Sequence, residues 1–156
     1  MKFVKLKDII DEMDTMSDEY KVFLDKETGN IVSLSVEELS IAEELEEDED
    51  FSDYPEWQRD ELKEALDVVL NWENYVELPD KFEIDEYSIM EEFCDYVSDS
   101  RIGDALRNAI QGRGAFRKFK DTIQRLNIED SWYKFKEEVF RKIAVEWCED
   151  NHIEYV

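Results

Sequence analysis

The chain has one histidine, His152, and two cysteines, Cys94 and Cys148, and nucleophilic or transition-metal chemistry would have to be built from these. Glu149 and His152 have the Glu-x-x-His spacing of di-iron bundles, but such a site takes two of these pairs and the chain supplies one. Cys148 and His152 offer two ligands where a structural zinc site takes four. A serine or cysteine nucleophile needs a positioned base, which a lone histidine beside the C-terminus does not provide. The stretch "DKETGNIVSLSV" begins like a calcium loop with Asp25 and Glu27. Its glycine falls at the fifth place instead of the sixth, however, and Val36 stands where the bidentate glutamate belongs. Paired carboxylates suit glycoside hydrolysis, yet with 43 Asp and Glu nothing selects one pair over another. No metal, cofactor or catalytic residue is expected, and the balance lies against an enzyme.

One stretch gathers charge of a single sign: "GRGAFRKFKD", residues 112–121, in a chain of formal net charge −24. From Arg101 to Arg125 there are seven basic residues against two acidic ones, and the rest of the chain is correspondingly more acidic. Gly103, Gly112 and Gly114 are three of the four glycines, and "QGRGAF" is expected to end one helix and begin the next. A glycine-containing turn before a helix exposes backbone N–H groups beside the positive end of the macrodipole, a setting that favours anions. On the helix that follows, Arg113, Arg117 and Lys120 are expected to share one flank, with Phe116 and Phe119 turned into the core. Two readings stand side by side. In one, Gly112, Arg113, Gly114, Arg117, Lys118 and Lys120 form an anion site for a phosphate, a nucleotide, an RNA backbone or an acidic protein segment. In the other, the bases neutralise acidic helices of the same molecule. No lysine–serine pair follows the glycines, so a nucleoside-triphosphatase loop is not supported. Duplex DNA is not an expected partner, because so small a positive island does not overcome the acidic background at long range.

The elements that must position these residues follow from length and periodicity. At 156 residues, with 42% apolar and 13% aromatic content, the chain has enough to fill one core, and a single domain spanning 1–156 is expected. Leu6, Ile9, Ile10 and Met13 space a first helix. Tyr20, Val22 and Leu24, the turn "DKETGN" and Ile31 to Leu34 then read as a β-hairpin, with Gly29 suited to a positive φ. Ser35 and Glu38 form a capping-box pattern before a second helix. Pro55 opens a third, with Leu62, Ala65, Leu66 and Val69 inward, and a short strand is expected at Tyr75 to Leu78. Asp85 caps a helix carrying Ile89, Met90, Phe93 and Val97, and a further helix spans about Arg101 to Ile110. The last, from about Asp130 to Asp150, carries Trp132, Phe135, Val139, Ile143 and Trp147, widened by Phe140, Ala144 and Cys148. The closing "HIEYV" is expected as an edge strand on the hairpin. The fold class is therefore α+β: mostly helical, with an N-terminal hairpin and a long, central C-terminal helix.

With these stretches laid out, "SDEYKVFLDKETGNIVSLS", "ELPDKFEIDEYSIMEEFC", "GRGAFRKFKD" and "IAVEWCEDNHIEYV" together resemble the uncharacterised bacterial protein family 0158 from end to end. The resemblance implies no activity, substrate or site, so no residue role comes with it.

The N-terminus is broken by charge every few residues, unlike a signal peptide, and no stretch approaches a membrane span, so a cytoplasmic protein without membrane contact is expected. The acidic majority either keeps the protein soluble or steers it to a basic protein partner. "EELEEDEDFSDYPEW" sets carboxylates beside Phe51, Tyr54 and Trp57, a mixture that suits a basic and apolar surface, although the same aromatics also suit the start of their own helix. The expected function is a non-catalytic binding or regulatory module that engages a protein partner. The alternatives are a binder of phosphate-bearing ligands through segment 112–120 and an enzyme with an unrecognised carboxylate site. Crowded carboxylates also predict greater stability near pH 5.5 than near pH 8 at low salt, wherever repulsion raises their folded-state pKa values.

Overall fold

Where apolar residues recur every second position, between residues 20 and 35, the chain is largely extended, and most of the other described residues are helical. The computed structural model describes residues 3–45, 51–80 and 84–156. In order they form α1 (Leu6–Asp14), β1 (Tyr20–Asp25), β2 (Ile31–Ser35), α2 (Val36–Glu44), α3 (Glu56–Leu70), a 3-10 turn at Trp72–Asn74, β3 (Tyr75–Glu77), α4 (Glu86–Tyr96), α5 (Ser100–Ala109), α6 (Ala115–Arg125) and α7 (Glu129–Asp150). The protein is α+β and mostly helical. The expected acidic run at 43–50 falls largely outside the described residues. The chain divides into two compact units, Met1–Asp80 with Ala144–Val156, and Lys81–Ile143.

The first unit is built on an antiparallel sheet of order β2-β1-β3. Tyr20 pairs with Ser35 and Leu24 with Ile31, while Leu24 faces Val76 on the other side. The hairpin turn is closed by Gly29 at φ 76° and by Asp25, whose Oδ1 accepts from the N–H groups of Glu27 (2.9 Å) and Thr28 (3.3 Å) and from Asn74 Nδ2 (2.8 Å). Burial pushes the Asp25 carboxyl up, but the Asn74 amide and these backbone donors outweigh it and hold it below the usual carboxylate range. The carboxylate that imitates the first ligand of a calcium loop is thus committed to a turn and to the entry of β3. Ser35 caps α2 by accepting from the Glu38 N–H at 3.1 Å. Leu34, Leu39, Ala42, Phe51, Leu62, Ala65, Leu66 and Val68 form one buried cluster. Val68 takes the buried place expected for Val69, which is half-buried.

The C-terminal segment departs from expectation. Val4 forms a parallel bridge with Tyr155, and the Val4 and Leu6 N–H groups donate to the Glu154 and Val156 carbonyls at 3.0 and 3.1 Å. "HIEYV" therefore pairs with the segment before α1 and not with the hairpin, where the place beside β1 is taken by β3.

In the second unit, Asp85 and Asp99 cap α4 and α5. Buried Ile89, Met90, Phe93 and Cys94 form the inner face of α4, whereas Val97, expected among them, lies at its C-cap. Phe93 is ringed by Tyr96, Phe119, Trp132 and Phe135 at centroid distances of 5.4 to 6.2 Å. Gly103 lies within α5, not at a turn, and a Cβ there would stand 2.9 Å from the Cys94 carbonyl oxygen. Because that neighbour is helix backbone, Gly103→Ala is expected to cost about 1–3 kcal/mol, read as a lower midpoint in urea unfolding with an unchanged slope. On α7, Trp132, Phe140, Ala144, Trp147 and Cys148 are buried, while Phe135, Val139 and Ile143 are half-buried.

Candidate binding surface

The turn into α6 is made by two glycines in the left-handed region, Gly112 at φ 74° and Gly114 at φ 73°. Gly114 is the N-cap, so no side chain caps the first turn, and its carbonyl accepts from the Lys118 N–H at 2.9 Å. A β-carbon at either position would force a conformation that L-residues rarely adopt, which is why this turn uses glycine. The helix ends as cleanly as it begins. Asn127 takes φ 58°, its N–H donates to the Gln124 carbonyl at 3.2 Å, and the Ile128 N–H donates to the Ile123 carbonyl at 2.9 Å, the paired bonds of a Schellman stop.

Between these ends α6 buries Ala115, Phe119, Thr122 and Ile123. Arg113, Arg117, Lys118, Lys120 and Arg125 are exposed, as are Gly112 and Gly114. Phe116 corrects the sequence reading: expected in the core beside Phe119, it is 49% exposed. The reason is angular. The buried positions centre between Ala115 and Phe119, and a residue one step after Ala115 lies on the flank of that stripe, adjoining Lys120 one turn on and Arg117 beside it. An apolar ring therefore stands on the flank that carries Lys120.

The bases of the island have two fates. Arg107 is engaged on every side: it donates to Asp95 at 2.7 Å, to Asp104 at 3.0 Å and to the Cys94 carbonyl at 3.3 Å. The Asp95 hydrogen bond, against the opposing effect of burial, raises its pKa. None of Arg113, Arg117, Lys118, Lys120 or Arg125 forms an ion pair with a carboxylate among the described residues. Arg107 neutralises its own neighbourhood and α6 does not.

Of the three aromatics set beside the acidic run, Phe51 is 5% exposed and belongs to the core cluster, and Tyr54 packs half-buried against it. The Tyr54 N–H donates to the Phe51 carbonyl at 3.1 Å, and Arg59 Nε donates to the Tyr54 carbonyl at 2.9 Å, fixing that turn inward. Trp57 alone presents its ring, 72% exposed at the start of α3 beside Glu56, Asp60, Glu61 and Glu64.

His152, the sole histidine, closes α7. At φ 56° it donates its N–H to the Glu149 carbonyl at 3.2 Å while the Ile153 N–H donates to the Cys148 carbonyl at 2.8 Å, so the Glu-x-x-His spacing belongs to a helix stop. Both thiols are buried. Burial raises the pKa of Cys94 despite Arg107, and burial followed by the Glu149 charge pushes Cys148 up to about 11. Among the described residues no group of three His, Cys, Asp or Glu side chains is placed to hold a metal, and no helix is long and apolar enough to cross a membrane.

Comparison with known proteins adds kinship without chemistry. The model of a family described as "Uncharacterised protein family (UPF0158)" matches residues 2–156. The UPF0158 protein PA5073 of Pseudomonas aeruginosa is 31% identical over 67 residues, which cover 42% of this chain and 44% of that protein. The chain thus aligns with less than half the length of this curated relative. No solved structure matches.

Proposed function

For this chain, which belongs to the uncharacterised protein family UPF0158, we propose a non-catalytic binding module that engages a protein partner, with the exposed basic face of α6 as its contact surface. The observation that carries this reading is that Arg113, Arg117, Lys118 and Lys120 form no ion pair among the described residues, in a protein with 43 acidic side chains. Exposed Phe116 stands on the flank that carries Lys120. Paired Arg forks with an apolar ring suit an acidic protein segment that carries a hydrophobic side chain. A long RNA backbone suits the surface less well, because its charge continues past an eleven-residue helix onto acidic surroundings. Two buried thiols with raised pKa values support a non-catalytic role. A second reading, a basic partner on α3, is favoured by exposed Trp57 among carboxylates.

The test uses Arg113→Glu with Arg117→Glu. Labelled acidic peptides containing one aromatic residue, inorganic phosphate and a short single-stranded RNA serve as probes at low and moderate salt. The peptide is expected to bind wild type with a salt-weakened affinity and to lose about tenfold or more with the double variant, which removes two charge-assisted contacts. The melting temperature should change little, because both side chains leave the packed face untouched. Equal peptide binding by both proteins, with melting lowered only at low salt, would establish self-neutralisation and sink the proposal. Preferential retention of phosphate or RNA would move the function to the phosphate-bearing class.

A further inference from the structure

We propose that the α6 surface, taken as the protein contact on which this proposal rests, engages a second copy of this chain through the acidic face and exposed ring of α3. Charge is unevenly divided between the two compact units. Lys81–Ile143 carries twelve basic and thirteen acidic side chains, whereas the rest of the chain carries seven and thirty. Nearly all of the net charge of −24 therefore belongs to one unit, and the other is close to neutral. Two copies that met through their acidic units would repel. A contact between the basic face of one copy and the acidic unit of the next is the pairing that electrostatics favours. At physiological ionic strength charges more than about 8 Å apart are screened, so the general repulsion between copies fades before the close contacts do.

Within the acidic unit, α3 is distinguished by its ring. Trp57 is 72% exposed, and Asp60 and Glu64 follow it at i+3 and i+7, which sets all three on one side of the helix. Asp60 and Glu64 are exposed and form no ion pair among the described residues. The two cations of α3 do not interrupt this face. Arg59 is half-buried and donates to the Tyr54 carbonyl at 2.9 Å, and Lys63 lies about 120° round the helix from Trp57. The other side of α3, with Leu62, Ala65 and Leu66, is already packed into the core cluster. On α6 the arrangement recurs with the sign reversed. Phe116 is 49% exposed, Lys120 stands one turn on, Arg113 and Arg117 are exposed, and Asp121 is the helix's one acidic side chain. Each helix thus offers a ring beside unpaired charge, and each wants the opposite sign. In the contact, ring meets ring, and the Arg113 and Arg117 forks meet the Asp60 and Glu64 carboxylates of the other copy.

Sedimentation equilibrium of the full-length chain tests this. At an ionic strength of about 0.15 M, the average mass should rise above that of one chain as concentration approaches about 100 μM, a weak affinity that suits one helix face against another. Asp60→Lys with Glu64→Lys should weaken self-association about tenfold or more, as should Arg113→Glu with Arg117→Glu, while both variants melt close to wild type. The α3 reversal makes each copy less negative, so a general charge effect would strengthen association where the specific contact is weakened. Mixing the two double variants should restore association, because each carries the face that the other now requires. A wild-type chain that keeps the mass of one copy up to about 1 mM overturns the proposal. If that chain still binds acidic peptide through α6, the contact surface stands with a different protein as its partner; if it binds none, both fall. Self-association that survives the α3 reversal, or that mixing does not restore, overturns the second copy alone.

Discussion

Ending the chain after Asp130 is expected to abolish cooperative unfolding. The truncation removes nearly all of α7, which supplies buried side chains to both compact units. In the unit spanning Lys81–Ile143 it takes away Trp132, whose ring lies 5.4 Å from Phe93 and 4.7 Å from Phe119. In the other unit it takes away Trp147, whose Nε1 donates to the Glu77 carbonyl at 3.0 Å behind β3, together with Ala144, Cys148 and Ile153. It also removes Tyr155 and so the bridge to Val4. A large buried side chain contributes about 1.5–3 kcal/mol, so losing Trp132, Phe140, Trp147 and Ile153 together is comparable to a typical net stability of about 5–15 kcal/mol. Calorimetry of the truncated chain should show no heat-absorption peak, and near-ultraviolet circular dichroism should be lost. A sharp two-state transition in the shortened chain would mean that α7 is not part of the core.

Local chemistry was legible in the sequence wherever a few neighbouring residues decide the structure. The change of period at Tyr20, the turn at Gly29 and the caps at Ser35 and Asp85 are all settled within about six residues, and each stands as expected. Outcomes decided by distant partners were not legible. The C-terminal segment alternates well enough for a strand, but its partner before α1 lies some 150 residues away in sequence. Phe116 misled because an aromatic residue outweighs Ala115 and Thr122 in any hydrophobicity count, although those two, with Phe119 and Ile123, are the positions α6 buries. The angular rule alone would have placed it correctly.

The candidate surface divides in the same way. Which residues are basic is plain from the sequence. That Arg107 is consumed by Asp95 and Asp104, while Arg113 and Arg117 are left unpaired among the described residues, depends on which carboxylates the fold brings near. Glu38 is the sharpest case. The capping-box spacing that identified it predicts an exposed carboxylate reaching back to the helix start. Its burial arises from the packing of α2 on α3, which no local pattern encodes.

The second large effect follows from the ring cluster. Phe93→Ala and Phe119→Ala are each expected to cost about 3–5 kcal/mol, because both rings are almost fully buried and truncation leaves a cavity in their place. Phe93 is in contact with four other aromatic rings and Phe119 with two, so truncation also forfeits ring–ring contacts, three of them edge-to-face, worth about 0.5–1.5 kcal/mol apiece. For a chain of this length each kcal/mol moves the melting temperature by about 2–4 °C, which places both variants roughly 6–20 °C below wild type. Phe116→Ala, three residues before Phe119 on the same helix, should stay within about 0.5 kcal/mol, because half its surface already faces water. The contrast separates a stability role from a binding role on one short element. Phe119→Ala should melt early and, while still folded at low temperature, bind acidic peptide normally. Phe116→Ala should melt like wild type and bind more weakly. If Phe116→Ala instead melted as early as Phe119→Ala, the ring would belong to the core, and the basic face of α6 would lose the apolar anchor that distinguishes a partner surface from a row of solvated charges.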